Sequence, residues 1–487
     1  MTRVIEIDLF EHERHSGQEA GQIFKREGWW ARLDAFLQEV WDGRPQTEAD
    51  SDHELDSEER GTQGTQRYLG FDHGNLMARS HVGTICFEGQ TINIWPKVFQ
   101  RDFQGGSVVS DQSRATLRGT MTRNMMWWLS RTNYLKLSQD QADGSTPNDI
   151  GSYFESYVWM FACFTRDLLG RQPYFQYQEE IEESGVMRGR LMLNRHVNDC
   201  LARGRWHMMV IEHEPYNFDN LFNRIIKRVC RLARSHCTSR QVRDKLDEIL
   251  FELDEVEDKP CTARDCDRVH LNRMQGEYLI VLDHCRMLLQ NFQVDRSGQE
   301  MQRFCFLFPM HRLFEEYLRV LAINAIRQQA NRWALRPRQG ESMCLAQMEN
   351  GQGCFTISND LLFSRMGNEL DGLVDRFGAN IVIADAKWKV RYKQAERNLG
   401  VTQADMYQMV AYAHARGATE VHLFYPAMDK SSKSCTVGKI TTVPGAEGIP
   451  AVNVWVHEFT IHTEDPELNI HQELENCIVR IICDILT

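Results

Sequence analysis

Residues 382–390 read VIADAKWKV, and two charged side chains, Asp385 and Lys387, stand two apart in a run that otherwise has the character of a buried strand. The segment is rich in β-branched residues and too short for a helix of ordinary length. In a strand, positions i and i+2 share a face, so an acid and an amine lie side by side among apolar neighbours. Burying such charges costs several kcal/mol or more unless they are paired or hold a metal. The preceding stretch, GNELDGLVDRFGAN, supplies further carboxylates. Strands over 370–377 and 381–388 around the loop Gly378-Ala379-Asn380 would set Asp371 opposite Lys387 and Leu373 opposite Asp385, all on one face. Two hard oxygen ligands suit Mg²⁺, which is commonly held by one or two carboxylates together with water and substrate phosphate. A bound ion lowers the pKa of its water, and a lysine beside it orients or deprotonates that water and stabilises the transition state. The alternative is a structural ion pair within a hairpin. Asp375 falls on the Asp371 face and is either a further carboxylate of the site or a salt-bridge partner of Arg376, Lys389 or Arg391.

The elements that must position these groups follow from periodicity. Downstream, TQADMYQMVAYAHARG reads as a helix with Gln408 and Tyr412 at i and i+4 on one face, and TEVHLFYP as a buried strand. Upstream, HRLFEEYLRVLAINAIR is a helix with Glu315 and Glu316 near its start. Helix, strand, strand, helix, strand, with charges on the middle strands, is the order of a nuclease core.

The rest of the chain bounds this reading. It has 487 residues, 42% hydrophobic and 25% charged, which is the composition of a globular protein of two to four domains. No apolar run approaches the roughly 18–20 residues that span a bilayer, and the opening MTRVIEIDLFEHERHSGQ is too acidic and broken for a signal peptide, so no membrane association and a cytoplasmic location are expected. The fourteen cysteines are scattered and read as reduced thiols; Cys261 and Cys266 with His270 have the wrong spacing for common zinc sites. A net charge of −12 argues against a protein that coats nucleic acid alone, but not against an enzyme delivered to DNA by a partner.

Four regions separate: 1–66, an N-terminal extension ending in the acidic linker QTEADSDHELDSEERGTQGTQ; 67–115, β-rich, with a turn near Glu88-Gly89-Gln90; 116–299, helical, interrupted by a β-hairpin around Ser184-Gly185; and 300–487. The hairpin carries RGRLMLNRH, whose Arg188 and Arg190 either contact a partner ATPase or phosphates or form a solvated face. WPK at 95–97 reads as a strand end with a packing tryptophan, or a partner contact, and NMMWWLSRTNYL as core.

The series Gly367-x-x-x-Asp371, Asp385-Ala386-Lys387 and Gln408-x-x-x-Tyr412 resembles the PD-(D/E)xK nuclease superfamily, in the subset with a QxxxY motif. INIWPKVF, VMRGRLMLNRH, FEEYLRVL and ADAKWK followed by DMYQMVAY resemble the McrC family, the nuclease subunit of modification-dependent restriction systems. The resemblance spans roughly 67–425; it departs from the superfamily in having Leu370 before the first acid, where proline is common, and in its longer N-terminal and helical regions. It implies an α+β multidomain chain with a C-terminal restriction-endonuclease-like α/β/α core over 300–487, behind a β-rich domain and a helical docking region. It further implies Asp371 and Asp385 as ligands of Mg²⁺ or Mn²⁺ with the carbonyl of Ala386, Lys387 as catalytic lysine, and Glu315 as the acid of the first core helix. Gln408 and Tyr412 would support the site or contact DNA. The implied partners are an AAA+ GTPase or ATPase of McrB type and double-stranded DNA, modified DNA included. A non-catalytic regulator of such an NTPase and a stand-alone nuclease are the competing functions.

Overall fold

The computed structural model describes residues 5–15, 28–42, 66, 68–72, 75–88, 90–100, 111–132, 152–177, 179–272, 275–291, 303–329, 333–335, 343–347, 353–357, 359–365, 381–389, 391, 398–427, 434–443, 451–463 and 468–487. It divides into two compact units, one made of Met1–Phe154 with Phe304–Thr487, the other of Glu155–Arg303. Mixed α and β structure is present throughout, and among the described residues no helix is long and apolar enough to cross a membrane.

The larger unit begins with a four-stranded sheet. β1 (Ile5–Phe10) runs parallel to β3 (Gln90–Trp95), which is antiparallel to β2 (His81–Phe87). The edge beyond β2 is closed by β4 (Arg303–Pro309), from the far side of the second unit in sequence. A Cβ at Gly83 would stand 2.0 Å from the Phe306 carbonyl oxygen, so only glycine lets β2 and β4 approach as they do. Helix α1 (Trp29–Asp42) buries Trp29, Leu33, Phe36 and Leu37 against Ile85, Phe87, Ile92 and Ile94 of this sheet.

A six-stranded mixed sheet fills the C-terminal part, in the order β5 (Trp333–Leu335), β6 (Leu361–Arg365), β7 (Ile381–Ala386), β8 (Glu420–Pro426), β10 (Asn453–Phe459), β9 (Cys435–Thr441). β7, β8 and β10 are parallel, and the outer strands are antiparallel to their neighbours. Helix α4 (Gln403–Arg416) crosses over from β7 to β8 and packs Met409, Tyr412 and Ala413 on Ile383, Val421 and Leu423. Helix α2 (Asp111–Arg131) joins α3 (Met310–Gln328) and α5 (Leu468–Ile485) around one buried carboxylate: Glu475 accepts from Trp127 Nε1 at 3.0 Å and Tyr317 Oη at 3.2 Å, with Arg131 Nε at 3.3 Å.

These contacts redraw the segmentation expected from sequence. The stretch 67–115 and the stretch 300–487 are parts of one unit, because β4 completes the first sheet, and α2 belongs with them rather than with a helical region 116–299. The strand expected at 370–377 lies outside the described residues, and the antiparallel neighbour of β7 is β6.

In the smaller unit the hairpin around Ser184-Gly185 is built differently from expectation. Glu180–Ser184 and Arg190–Leu191 do not pair with each other; both run antiparallel to Met209–His213, which lies between them. Gly189 at φ +71° makes the turn, where a Cβ would meet the Glu212 carbonyl oxygen at 2.4 Å. Cys261 precedes, and Cys266 lies within, a short turn capped reciprocally by Thr262 and Asp265; burial pushes both thiols up, Cys266 to about 11.

Two histidines are buried in the six-stranded sheet. His422 Nδ1 meets His457 Nε2 at 3.0 Å, and His457 Nδ1 meets Thr436 Oγ1 at 3.0 Å. Burial lowers His422 to about 3, helped by His457, and burial lowers His457 to about 4. Both are therefore neutral when folded, while an unfolded histidine protonates below about 6.5. The unfolded state then binds more protons, so stability is complete above that pH and falls as pH drops toward 3, by up to about 1.4 kcal/mol per pH unit for each histidine. We expect the denaturation midpoint in urea to fall between pH 6.5 and 4.5, and His422→Phe to flatten that slope; an unchanged slope would show that the pair does not titrate on unfolding.

Candidate functional site

β7 and the residue that follows it place Asp385 and Lys387 as the two-residue period dictates. Lys387 Nζ lies 2.7 Å from Asp385 Oδ2, and Asp385 is only 2% exposed. The Lys387 backbone N–H donates to the Phe424 carbonyl at 2.8 Å, extending the parallel ladder with β8 one residue past the strand end. Lys387 Nζ also donates to Gln408 Oε1 at 2.7 Å, and Gln408 Nε2 donates to Tyr412 Oη at 2.6 Å. One amide thus reads the lysine with its oxygen and the tyrosine with its nitrogen, as the i, i+4 spacing on α4 permits. α4 is held in place by its N-cap Thr402, which accepts from the Asp405 N–H, and by Lys389 Nζ, 3.0 Å from Asp405 Oδ1.

The register of β6 on β7 pairs Leu361 with Ala384. One residue further along, Asp360 stands level with Asp385, and its Oδ2 accepts the Ala386 N–H at 2.9 Å. This carboxylate was not singled out from the sequence. Its signal is the apolar run LLF at 361–363, which marks a strand beginning directly after Asp360. Burial pushes the Asp360 carboxyl well up, and the nearby charges of Glu315 and Asp385 push it further, while Lys387 and the Ala386 N–H oppose them. Of the two glutamates near the start of α3, it is therefore Glu315 whose charge reaches the cluster. Burial works against the Lys387 ammonium, but the attraction of Asp385 and Asp360 wins, so its pKa is raised and it stays charged.

The Ala386 carbonyl belongs to the same trans peptide as the N–H given to Phe424. It therefore points away from β8, toward the β6 side where Asp360 lies. The structure thus brings together Asp385, Ala386, Lys387, Gln408, Tyr412 and Glu315, and adds Asp360. Asp371 and Asp375 lie outside the described residues. Arg188 and Arg190 belong to the smaller unit, where both are exposed and Arg190 has only a distant approach, 3.8 Å, to Glu212.

Among the described residues no three His, Cys, Asp or Glu side chains form a ready metal cage. The donor chemistry nonetheless fits a hard divalent ion. Burial, and after it the charges of Glu315 and Asp385, push Asp360 up, and a cation beside Asp385 and Asp360 would offset all three. The shift of Asp360 is directly testable. Glu315→Gln removes a charge that raises it, so the Asp360 carboxyl, followed by carbon NMR of labelled protein, should titrate at lower pH in that variant. An unchanged midpoint would remove Glu315 from the cluster.

The sequence model of a family described as "McrBC 5-methylcytosine restriction system component" matches residues 76–426. The fold is similar to a solved structure described as a refined half-complex from a tetradecameric assembly of Thermococcus gammatolerans McrB AAA+ hexamers with bound McrC. That likeness has 15% identity and a TM-score of 0.66, and covers 99% of this chain and 100% of the other. A chain of the cryo-EM structure of the Thermococcus gammatolerans McrBC complex matches with 17% identity over 66% of this chain and 88% of its own, at a TM-score of 0.49. No curated protein matches the chain.

Proposed function

The chain belongs to the family of McrBC 5-methylcytosine restriction system components, and on that premise we propose that it is the subunit that cuts DNA, a metal-dependent endodeoxyribonuclease of PD-(D/E)xK type acting with an AAA+ NTPase. The observation that carries this reading is the Lys387 ammonium, held within 2.7 Å of both Asp385 and Gln408 beside a second carboxylate, Asp360. A strand-borne acid and lysine that served only as an ion pair would need no further carboxylate next to them.

Asp385, a second aspartate and the Ala386 carbonyl would hold Mg²⁺ or Mn²⁺. The ion would supply a water of lowered pKa and neutralise charge on the scissile phosphate. Lys387, charged throughout the neutral range, orients the attacking water by donating to it and faces the negative charge that builds on the phosphoryl oxygens. Gln408 fixes the ammonium's direction, and Tyr412 fixes the amide, so that Gln408 presents its oxygen rather than its nitrogen to the lysine. The charge of Glu315 acts on Asp360 and adds to the negative potential that an ion would meet there. The second aspartate is Asp360 by geometry and Asp371 by motif spacing, and their substitution separates the two.

A net charge of −12 gives the chain little general attraction for phosphates, which normally supplies most sequence-independent affinity, so DNA must be held by another component. The similar solved structure is described with McrB AAA+ hexamers, and a partner of that class fits here. Its docking surface in this reading is the three-stranded sheet of the smaller unit, where Val186, Met187, Leu193 and Trp206 are exposed beside Arg188 and Arg190.

Asp385→Ala and Lys387→Ala should each lower the rate of DNA cleavage at least 1,000-fold, a loss of about 4 kcal/mol of barrier stabilisation. Full cutting by purified Asp385→Ala protein sinks the site. Of Asp360→Ala and Asp371→Ala, the variant that loses both Mg²⁺-dependent cleavage and tight metal binding by calorimetry identifies the second ligand. Reversing charge at Arg188 and Arg190 should weaken stimulation of the partner's NTPase while leaving Mg²⁺ affinity as in the wild type. Rapid cutting by the isolated chain at physiological salt would instead make it a stand-alone nuclease.

A further inference from the structure

Three side chains far apart in sequence meet directly behind Lys387. Lys97, at the start of the short turn Lys97–Phe99, donates from Nζ to the Trp388 carbonyl at 2.6 Å, and its ammonium lies 5.6 Å from the centre of the Trp388 ring. Trp388 Nε1 donates to the Glu11 carboxylate at 2.9 and 3.2 Å. Glu11 closes the triangle by accepting the Lys97 N–H at 3.0 Å. The Trp388 ring also packs on Phe314, the residue before Glu315, with ring centroids 5.3 Å apart. All three are enclosed: Glu11 is 2% exposed, Lys97 8% and Trp388 7%.

We propose that Glu11, Lys97 and Trp388 form a positioning cluster that sets Lys387 and Glu315 at their working distance for DNA cleavage; this rests on the nuclease reading above. Trp388 is the residue after Lys387, in the turn that follows β7, where the Lys389 N–H donates to the Lys387 carbonyl at 2.8 Å. The lysine's own N–H is tied to Phe424, and the next carbonyl but one along the chain is tied to Lys97. The backbone is therefore pinned on both sides of the Lys387 Cα. The same indole, through Phe314, fixes the turn of α3 that carries Glu315. Stability alone does not account for a buried polar triad, since well-packed apolar replacements of buried charges are often neutral or stabilising. Placement does, because an error of about 1 Å in a reacting group costs on the order of 100-fold in rate. WPK is the strand end with a packing tryptophan that the sequence suggests, since β3 ends at the fully buried Trp95, and Lys97 after it turns inward to this internal role. Its neighbour His12 shows the reach of the buried ammonium: burial and then Lys97 lower it to about 4.

The test uses full-length protein with its NTPase partner, and the variants Lys97→Met and Trp388→Phe, the second keeping the ring while removing the N–H donor. With saturating Mg²⁺, both should lower kcat at least ten-fold, leave KM for DNA within two-fold, and leave stimulation of the partner's NTPase as in the wild type. Amide hydrogen exchange over 385–389 should accelerate in both. A kcat within two-fold of wild type in both variants overturns the proposal. Unchanged exchange over 385–389 overturns it whether or not the protein cuts. Accelerated exchange in variants of a wild type that never cuts supports the clamp and removes the nuclease reading instead.

Discussion

The largely enclosed ammonium of Lys387 sets the terms for the C-terminal half of the molecule. Taking Lys387 out of water is unfavourable, and the compensation comes from carboxylates on β7 and at the start of β6, with an amide on α4. Each compensating group sits on a different element, so the sheet order, the crossover helix and the register of β6 all have to be correct at once for the charge to be tolerated. The excess of acid over base in the same place leaves Asp360 short of favourable interactions. A site that is complete for folding thus keeps carboxylates in close company, which is the arrangement from which the proposed metal chemistry starts.

The same logic of one polar group shared by several elements recurs away from the site. Glu475 collects an indole, a phenol and a guanidinium from three residues on two other helices, and Trp128 Nε1 donates to the Ile461 carbonyl at 2.8 Å. Arg118 and Trp95 both donate to Asp8. These buried nodes tie the N-terminal sheet, α2 and the C-terminal helices into one body. Apolar packing would hold such elements near each other, whereas directional hydrogen bonds on a shared acceptor fix their angles.

What the sequence disclosed follows from the range of the underlying interactions. Asp385 with Lys387, and Gln408 with Tyr412, were legible because their proximity is set by the two-residue and four-residue periods of a strand and a helix. Asp360 is not, because its place depends on which strand pairs with β7, and the nearest candidate in sequence is 370–377 rather than β6. The β structure around Ser184-Gly185 has the same cause: both arms are legible as strands, but Met209–His213 lies between them. Lys97 and Trp388, 291 residues apart, share no periodic relation at all. Their meeting is a property of the assembled sheets, and two lone motifs, WPK and DAKW, carried no sign of each other.

The route of the chain through β2 and β4 has a consequence of a different kind. Residues 155–303 are interposed between Phe154 and Phe304, whose rings lie 4.2 Å apart, so the host body is left and re-entered at almost one point. An insertion with touching ends imposes no strain on the frame that carries it, and the entropy of closing so long a loop grows only with the logarithm of its length. Such a junction behaves as a socket. Evolution can lengthen, shorten or exchange what is plugged into it without disturbing the strands on either side, so the host body and the inserted unit are free to diversify at different rates.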